Sequence, residues 1–342
     1  MENKANTLPT IKIGFVDSGI GGLIFAIDIF FILEPLIKEI NAAGINVEFN
    51  HIGDTANVPY GGKTVNQIKC LSAHIVNMSV QQGNAAIFMA CNTMCSVFDD
   101  LSIDTLNKSD SSVKIISIIK KSAAKLLEIA QSSETNDAKK PSMIAVFGTK
   151  QTIKSNVYSS NIRSLSAAKK QIMNDIFCHA PNFWVQYVES GFGREESIVK
   201  RIESDMRFFH RLNRLDSVAK VNGKIAVGLF CTHYKVYRKE VKRFFESLNL
   251  NVDIVEQGNL FVEDVAKILN DFKADVYAKN KTANIIVNMK ANINNIGYFK
   301  INSKLTSFNS AKKTKQTLQS LYEDSEFERL SSVISISETE PQ

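Results

Sequence analysis

The chain of 342 residues lacks a CxxC pair. Structural zinc ligands usually come as such close pairs. The five cysteines, Cys70, Cys91, Cys95, Cys178 and Cys231, provide only the CxxxC of Cys91 and Cys95 and the CxH of Cys231 and His233. A metal site drawn from these groups is therefore disfavoured, and none is expected. No secretory leader is expected either, because the first residues, MENKANTLPT, are polar and have no apolar core. With an odd number of cysteines, the thiols read as reduced and the protein as cytoplasmic. A long apolar run is also missing. The longest, Leu23 to Ile37, is broken by Asp28, Glu34 and Pro35. It is too short and too interrupted to span a bilayer, so no membrane partner is expected. A basic stripe is missing as well. The formal charge is +6, but the cations are scattered and the densest cluster is Lys312 to Lys315. Without aromatic residues among them they make no nucleic-acid footprint. No fixed-period repeat appears.

What remains is ordinary globular material: 44% hydrophobic and 22% charged residues, in a length that fits one large or two ordinary domains. Short apolar runs predict strands at Ile11–Val16, Asn46–Gly53, Ala85–Ala90 and Val113–Ile119. The second half predicts them at Met143–Gly148, Phe183–Val188, Lys224–Phe230 and Val252–Gln257. Such runs, with little polar alternation, suit strands buried on both faces. Amphipathic stretches such as VNQIKCLSAHIVNMSVQQG and EESIVKRIESDMRFFHRLNRL read as helices between them. The alternation predicts an α/β fold with parallel sheets covered by helices. Two polar segments read as linkers, Gln131–Ser142 and the Asn- and Lys-rich stretch after Val276; the last residues, SISETEPQ, read as disordered.

Polar groups recur just after the strands in both halves, where open α/β sheets bind ligands. Two of these positions are cysteines 140 residues apart. Cys91 follows AAIFMA and opens CNT (Cys91, Asn92, Thr93); Cys231 follows KIAVGLF and opens CTH (Cys231, Thr232, His233). Two thiols presented from two halves can face one carbon from opposite sides, as reversible proton transfer requires. A free thiol titrates near ~8.5, so a helix N-terminus or a histidine must help it act as a base. Cys70 and Cys178 read as buried apolar side chains, and Cys95, four residues after Cys91, as packing beneath the site.

Three further segments carry polar groups. DSGIGG (Asp17–Gly22) follows the first strand, and the exposed N–H groups of the helix start behind it favour an anion such as a carboxylate. Its spacing is not that of a dinucleotide or phosphate loop. GDTANVPYGGK supplies the Tyr60 hydroxyl and the Gly61 backbone. Glu189 closes the FWVQYV run beside a glycine loop.

Taken together, IGFVDSGIGG, GDTANVPYG, ACNT, FGTKQTIKSNVY, CHAPNFWVQYVESG and CTHY resemble the glutamate racemases of the aspartate/glutamate racemase superfamily, in the same order and at similar spacing, from about Ile11 to Asp271. The resemblance implies two pseudo-symmetric α/β domains with parallel central sheets and an active site in the cleft between them. It places one domain at 11–119 plus about 258–305, a second at 120–257, and a C-terminal helix and disordered tail at 306–342. It implies a cofactor-independent isomerase that interconverts L- and D-glutamate for peptidoglycan, with Cys91 and Cys231 as the two acid/base groups. Asp17 is implied beside the first cysteine, and Glu189 and His233 beside the second. Asp17, Ser18, Tyr60, Gly61, Asn92, Thr93, Thr232 and His233 are implied to hold the amino acid. A homodimer is the assembly to test. An aspartate or other amino-acid racemase, or a racemase-like binding protein, are the alternatives. The chain departs from the pattern at Met94, where a small residue is usual, at Phe230, which replaces a glycine, and at Lys235, which replaces a proline. The first two are expected to touch the walls of the site.

Overall fold

The computed structural model describes residues 8–98, 113–132, 142–169, 175–191, 193–213, 224–282, 299–305, 310–322 and 324–338. Among the described residues ten strands form two sheets, and every pairing is parallel. The first sheet contains β1 (Thr10–Asp17), β2 (Asn46–Gly53), β3 (Ala86–Met89), β4 (Lys114–Ser117), β9 (Phe299–Leu305) and β10 (Ile334–Glu338), in the order β10-β9-β2-β1-β3-β4. The second contains β5 (Ser142–Gly148), β6 (Asp175–His179), β7 (Lys224–Phe230) and β8 (Asn251–Val255), in the order β6-β5-β7-β8. Helices α1 (Gly21–Ala42), α2 (Val65–Gln81), α3 (Asn92–Cys95), α4 (Ile119–Gln131), α5 (Lys150–Lys154), α6 (Val157–Ala168) and α7 (Trp184–Glu189) lie between the strands. They are followed by α8 (Glu196–Asn213), α9 (Arg238–Glu246), α10 (Gln257–Leu260), α11 (Val262–Thr282), α12 (Ser310–Leu321) and α13 (Asp324–Val333). Among the described residues no helix is long and apolar enough to cross a membrane.

Each sheet buries its own aromatic core. Phe15 on β1 lies 5.2 Å from Phe49 and 5.5 Å from Phe88 by ring centroid. In the second lobe Phe147 on β5 packs on Phe209 at 4.9 Å and stacks with Trp184 at 6.2 Å. Continuous apolar strands are needed because helices cover both faces. Helix starts are set locally: the Thr64 and Gln67 side chains cap α2 reciprocally, and Thr149 caps α5 through the Thr152 amide.

Several sequence expectations change. Phe183–Val188 is not a strand: Trp184–Glu189 is helix α7, entered through Phe183 at φ 66°. A short apolar run cannot distinguish strand from helix by periodicity. Here burial decides, because Trp184 sits between Phe147, Tyr234 and Tyr237 with its Nε1 donating to Asp205 at 2.8 Å. A strand lies instead at Asp175–His179, a short edge strand that starts on a charge. The stretch after Val276 stays helical to Thr282 and resumes as β9 at Phe299; residues 283–298 lie outside the described residues, as does most of the Gln131–Ser142 linker. The C-terminal segment is two helices and a strand, not a helix and a tail: Ile334–Glu338 pairs with Ile301–Leu305. Of the cysteines expected to be buried, Cys70 is exposed and Cys178 is half-buried against the Ser159 hydroxyl at 3.3 Å.

Candidate active site

The site sits where the carboxyl ends of β1, β3, β5 and β7 face one another. β1 ends on Asp17, which is fully buried. Its Oδ1 accepts from the Gly19 amide at 3.1 Å and from Ser18 Oγ at 3.3 Å. Cys91 follows β3, immediately before α3, and its thiol donates to Ser18 Oγ at 3.5 Å. Cys95, one turn later, turns inward and donates to the Met89 carbonyl at 3.1 Å, so it packs beneath the site as expected. Met94 is fully buried, and its amide lies against the Cys91 sulfur.

The second lobe answers with Cys231, which follows β7 and starts a 3-10 turn, Thr232–Tyr237. The Cys231 sulfur lies 3.7 Å from His233 Nδ1, and His233 Nε2 lies 2.5 Å from Glu189 Oε1. Glu189 ends α7, and the same oxygen accepts from the Ile20 amide at 2.8 Å. The anion at the start of α1 is thus the protein's own carboxylate, delivered from the other lobe. Thr232 Oγ1 donates to Asp17 Oδ2 at 2.9 Å, a second bond across the cleft. These contacts explain the glycines of DSGIGG. A Cβ on Gly19 would sit 1.9 Å from Glu189 Oε1, and one on Gly21 2.0 Å from Thr232 Oγ1.

Tyr60 opens a 3-10 turn, and its hydroxyl donates to Asp54 Oδ2 at 2.6 Å. Thr93 Oγ1 lies 2.8 Å from Thr149 Oγ1, and Thr152 Oγ1 is 3.0 Å from Thr149 Oγ1. Sequence reasoning did not single out Thr149 and Thr152. Thr149 is the strand-end position of β5, equivalent to Cys91 after β3, and that equivalence could have found it; Thr152 follows one turn later in α5. It also missed His51 on β2, which is buried beneath the DSGIGG loop with Nδ1 3.0 Å from Ser303 Oγ. Burial pushes His51 down to about 3 and keeps it neutral. Phe230 does not line the site as expected. It is fully buried and stacks on Tyr158, with centroids 3.7 Å apart. Lys235 spans the lobes to Asp28 on α1.

Electrostatically the two thiols differ. Burial and the nearby Asp17 push the Cys91 thiol well up, against its hydrogen bond with Ser18 and the Met94 amide; charge on Cys231 raises it further, so the two sulfurs sense each other. Burial also raises Asp17, and His233 and Thr232 oppose it. Burial alone would hold His233 down, but its bonds to Cys231 and Glu189 carry it well above the ordinary histidine value.

These features define a class: a two-lobed α/β protein with one buried thiol per lobe, each backed by acid–base groups, at a shared cleft. The glutamate racemases are the proteins this chain is similar to. It is 28% identical to the glutamate racemase of Streptococcus mutans serotype c over 261 residues, 76% of this chain and 82% of that protein. It is 29% identical to that of a Sulfurihydrogenibium species over 284 residues, 81% and 94% of the two chains. Among solved structures, a glutamate racemase of Bacillus anthracis matches with a TM-score of 0.62 at 18% identity, over 96% of this chain and 97% of that one. The glutamate racemase of Francisella tularensis in complex with D-glutamate matches at 0.60 and 18%, over 99% and 98%. No family model matches the chain.

Proposed function

We propose that the chain is a glutamate racemase that interconverts L- and D-glutamate by two-thiol acid–base chemistry, without a cofactor. The observation that carries this reading is the delivery of Cys91 and Cys231 from equivalent strand ends of two sheets into one cleft. From L-glutamate, Cys231 as thiolate takes the α-proton, and the Cys91 thiol gives its proton to the opposite face. In the other direction the roles exchange. Positioned groups of this kind contribute typically ~10²–10⁴-fold. Burial of both sulfurs and of Asp17 supplies the dry, fixed polar surroundings that a carbanionic transition state needs. Asp17, Ser18, Tyr60, Gly61, Asn92, Thr93, Thr232 and His233 are assigned to the substrate, and Glu189 and His233 to proton exchange at Cys231. The same reading assigns the lobes as 11–119 plus about 258–305 and 120–257, the setting as the cytoplasm, the product as peptidoglycan precursor, and the assembly as a homodimer.

The test is loss of circular dichroism from L-glutamate, L-aspartate and a small amino-acid panel, with no pyridoxal phosphate added. Racemisation of glutamate well above the others is the expected result. Turnover of aspartate instead would reassign the substrate. Inertness toward every amino acid, with both thiols titratable, would overturn the enzyme reading in favour of a binding protein.

A further inference from the structure

Asn92 is the first residue of α3, directly after Cys91, and its carboxamide is held by two residues outside its own lobe's sheet. Asn92 Nδ2 donates to Gln257 Oε1 at 2.9 Å, and Gln257 Nε2 donates back to Asn92 Oδ1 at 3.1 Å. The Tyr158 hydroxyl donates to the same Oδ1. Gln257 Nε2 also donates to Ser122 Oγ at 2.9 Å. All of these groups are buried.

Two amides facing each other could both be turned over and still pair, so something must set their polarity. Ser122 does. Its single hydroxyl hydrogen goes to the Ile118 carbonyl at 2.7 Å, one turn back in the chain. The Ser122 oxygen can then only accept, so the atom facing it must be the Gln257 nitrogen. Gln257 Nε2 commits one hydrogen to Ser122 Oγ and the other to Asn92 Oδ1, with the Tyr158 hydroxyl alongside at 3.3 Å, so the Asn92 atom opposite it must be oxygen. That oxygen's two lone pairs are filled by Gln257 and Tyr158. One Nδ2 hydrogen is then what Asn92 has left to offer beside Cys91.

We propose that Gln257 is a positioning residue which, through Ser122 and the Ile118 carbonyl, makes Asn92 an obligatory hydrogen-bond donor in the site, and so selects a substrate carboxylate over an ammonium there. This rests on the reading of the cleft as an amino-acid racemase site. Phe230 belongs to the same device, because its ring holds Tyr158 in place.

The test is Gln257→Glu, which keeps size but puts an acceptor where the donor stood. Ser122 and Asn92 Oδ1 then both face a carboxylate oxygen. We expect KM for both glutamate enantiomers to rise about tenfold or more while kcat falls less, because a bond to substrate charge is lost. The defect should shrink toward pH 5, where the introduced carboxyl can carry a proton and donate again. Ser122→Ala should give the same pattern more weakly. The second arm does not depend on turnover. In protein labelled with [15N]asparagine, the Asn92 side-chain amide, identified by its loss in Asn92→Asp, should exchange slowly in the native chain and quickly in Gln257→Glu. Unchanged KM, or equal losses in kcat and kcat/KM with no pH recovery, would overturn the proposal. If the native chain racemises no glutamate, the functional reading falls, and the amide exchange still decides whether Gln257 holds Asn92.

Discussion

Cys91 and Cys231 occupy matching places, each just past an inner strand of its own parallel sheet, yet their neighbours differ. Cys91 is served within its own lobe, by Ser18 and by Asp17, whose charge adds to burial in holding the thiol protonated. Cys231 is served by a relay, His233 then Glu189, whose far end is tied to the Ile20 amide across the cleft. One thiol therefore waits as a proton donor. The other has a partner that can carry a proton to or from it. The two faces of the site are built for the same reaction but do not start it in the same state.

The sharpest way to break that comparison is to remove one thiol at a time. Cys91→Ala or Cys231→Ala should abolish racemisation, since one face of the α-carbon loses its donor or acceptor. Ser variants are more informative, because a hydroxyl can fill a donor's place but is a far weaker base. Solvent deuterium exchange at the α-carbon, started from each pure enantiomer, should fall more from L-glutamate in Cys231→Ser and more from D-glutamate in Cys91→Ser. Equal losses in both directions would mean that the thiols are not divided by face.

The relay is the next largest effect. Glu189→Gln keeps an oxygen for the Ile20 amide but removes the negative charge that raises His233. Burial then faces only the Cys231 contact, so His233 should fall from its raised value. The expected outcome is a loss of about 10- to 100-fold in rate, with an imidazole that NMR finds titrating lower than in the native chain. Full activity across the pH range would return Glu189 to a structural role.

The chemistry of this comparison was legible in the sequence where one residue type in one local pattern suffices. Apolar runs ending in CNT and CTH place both thiols, and DSGIGG places Asp17 and the tight turn. What was not legible depends on contacts between segments far apart in the chain. Glu189 was singled out in the sequence but was placed at the end of a strand rather than a helix, because the burial of Trp184 decides that geometry. Phe230 was read as a wall of the site, but its ring turns to Tyr158, which no local pattern announces. Gln257, 165 residues from Asn92, carries no motif. Asp28, which in the sequence only breaks an apolar run, is half of a bridge between the lobes.

That bridge gives the smallest effect on the chemistry and the clearest on stability. Asp28 on α1 is buried, with Lys235 from the other lobe and Tyr322 next to α12 as partners. Burial outweighs the attraction of Lys235 and lifts the carboxyl from the ordinary 3.8 to about 6. An aspartate raised in this way binds its proton more readily in the folded chain than in the unfolded one. Its favourable contribution is complete below about pH 4 and is lost as the pH rises through about 6. Asp28→Asn keeps the neutral form at every pH. The attraction of Lys235 is already contained in that net shift. The variant should therefore gain on the native chain between pH 4.5 and 7.5, by at most about 3 kcal/mol. Urea unfolding of both proteins at the two pH values measures the difference. A gap that stays constant, or one that turns against the variant as the pH rises, would mean that the ion pair with Lys235 outweighs burial and that Asp28 is an ordinary ionised anchor between the lobes.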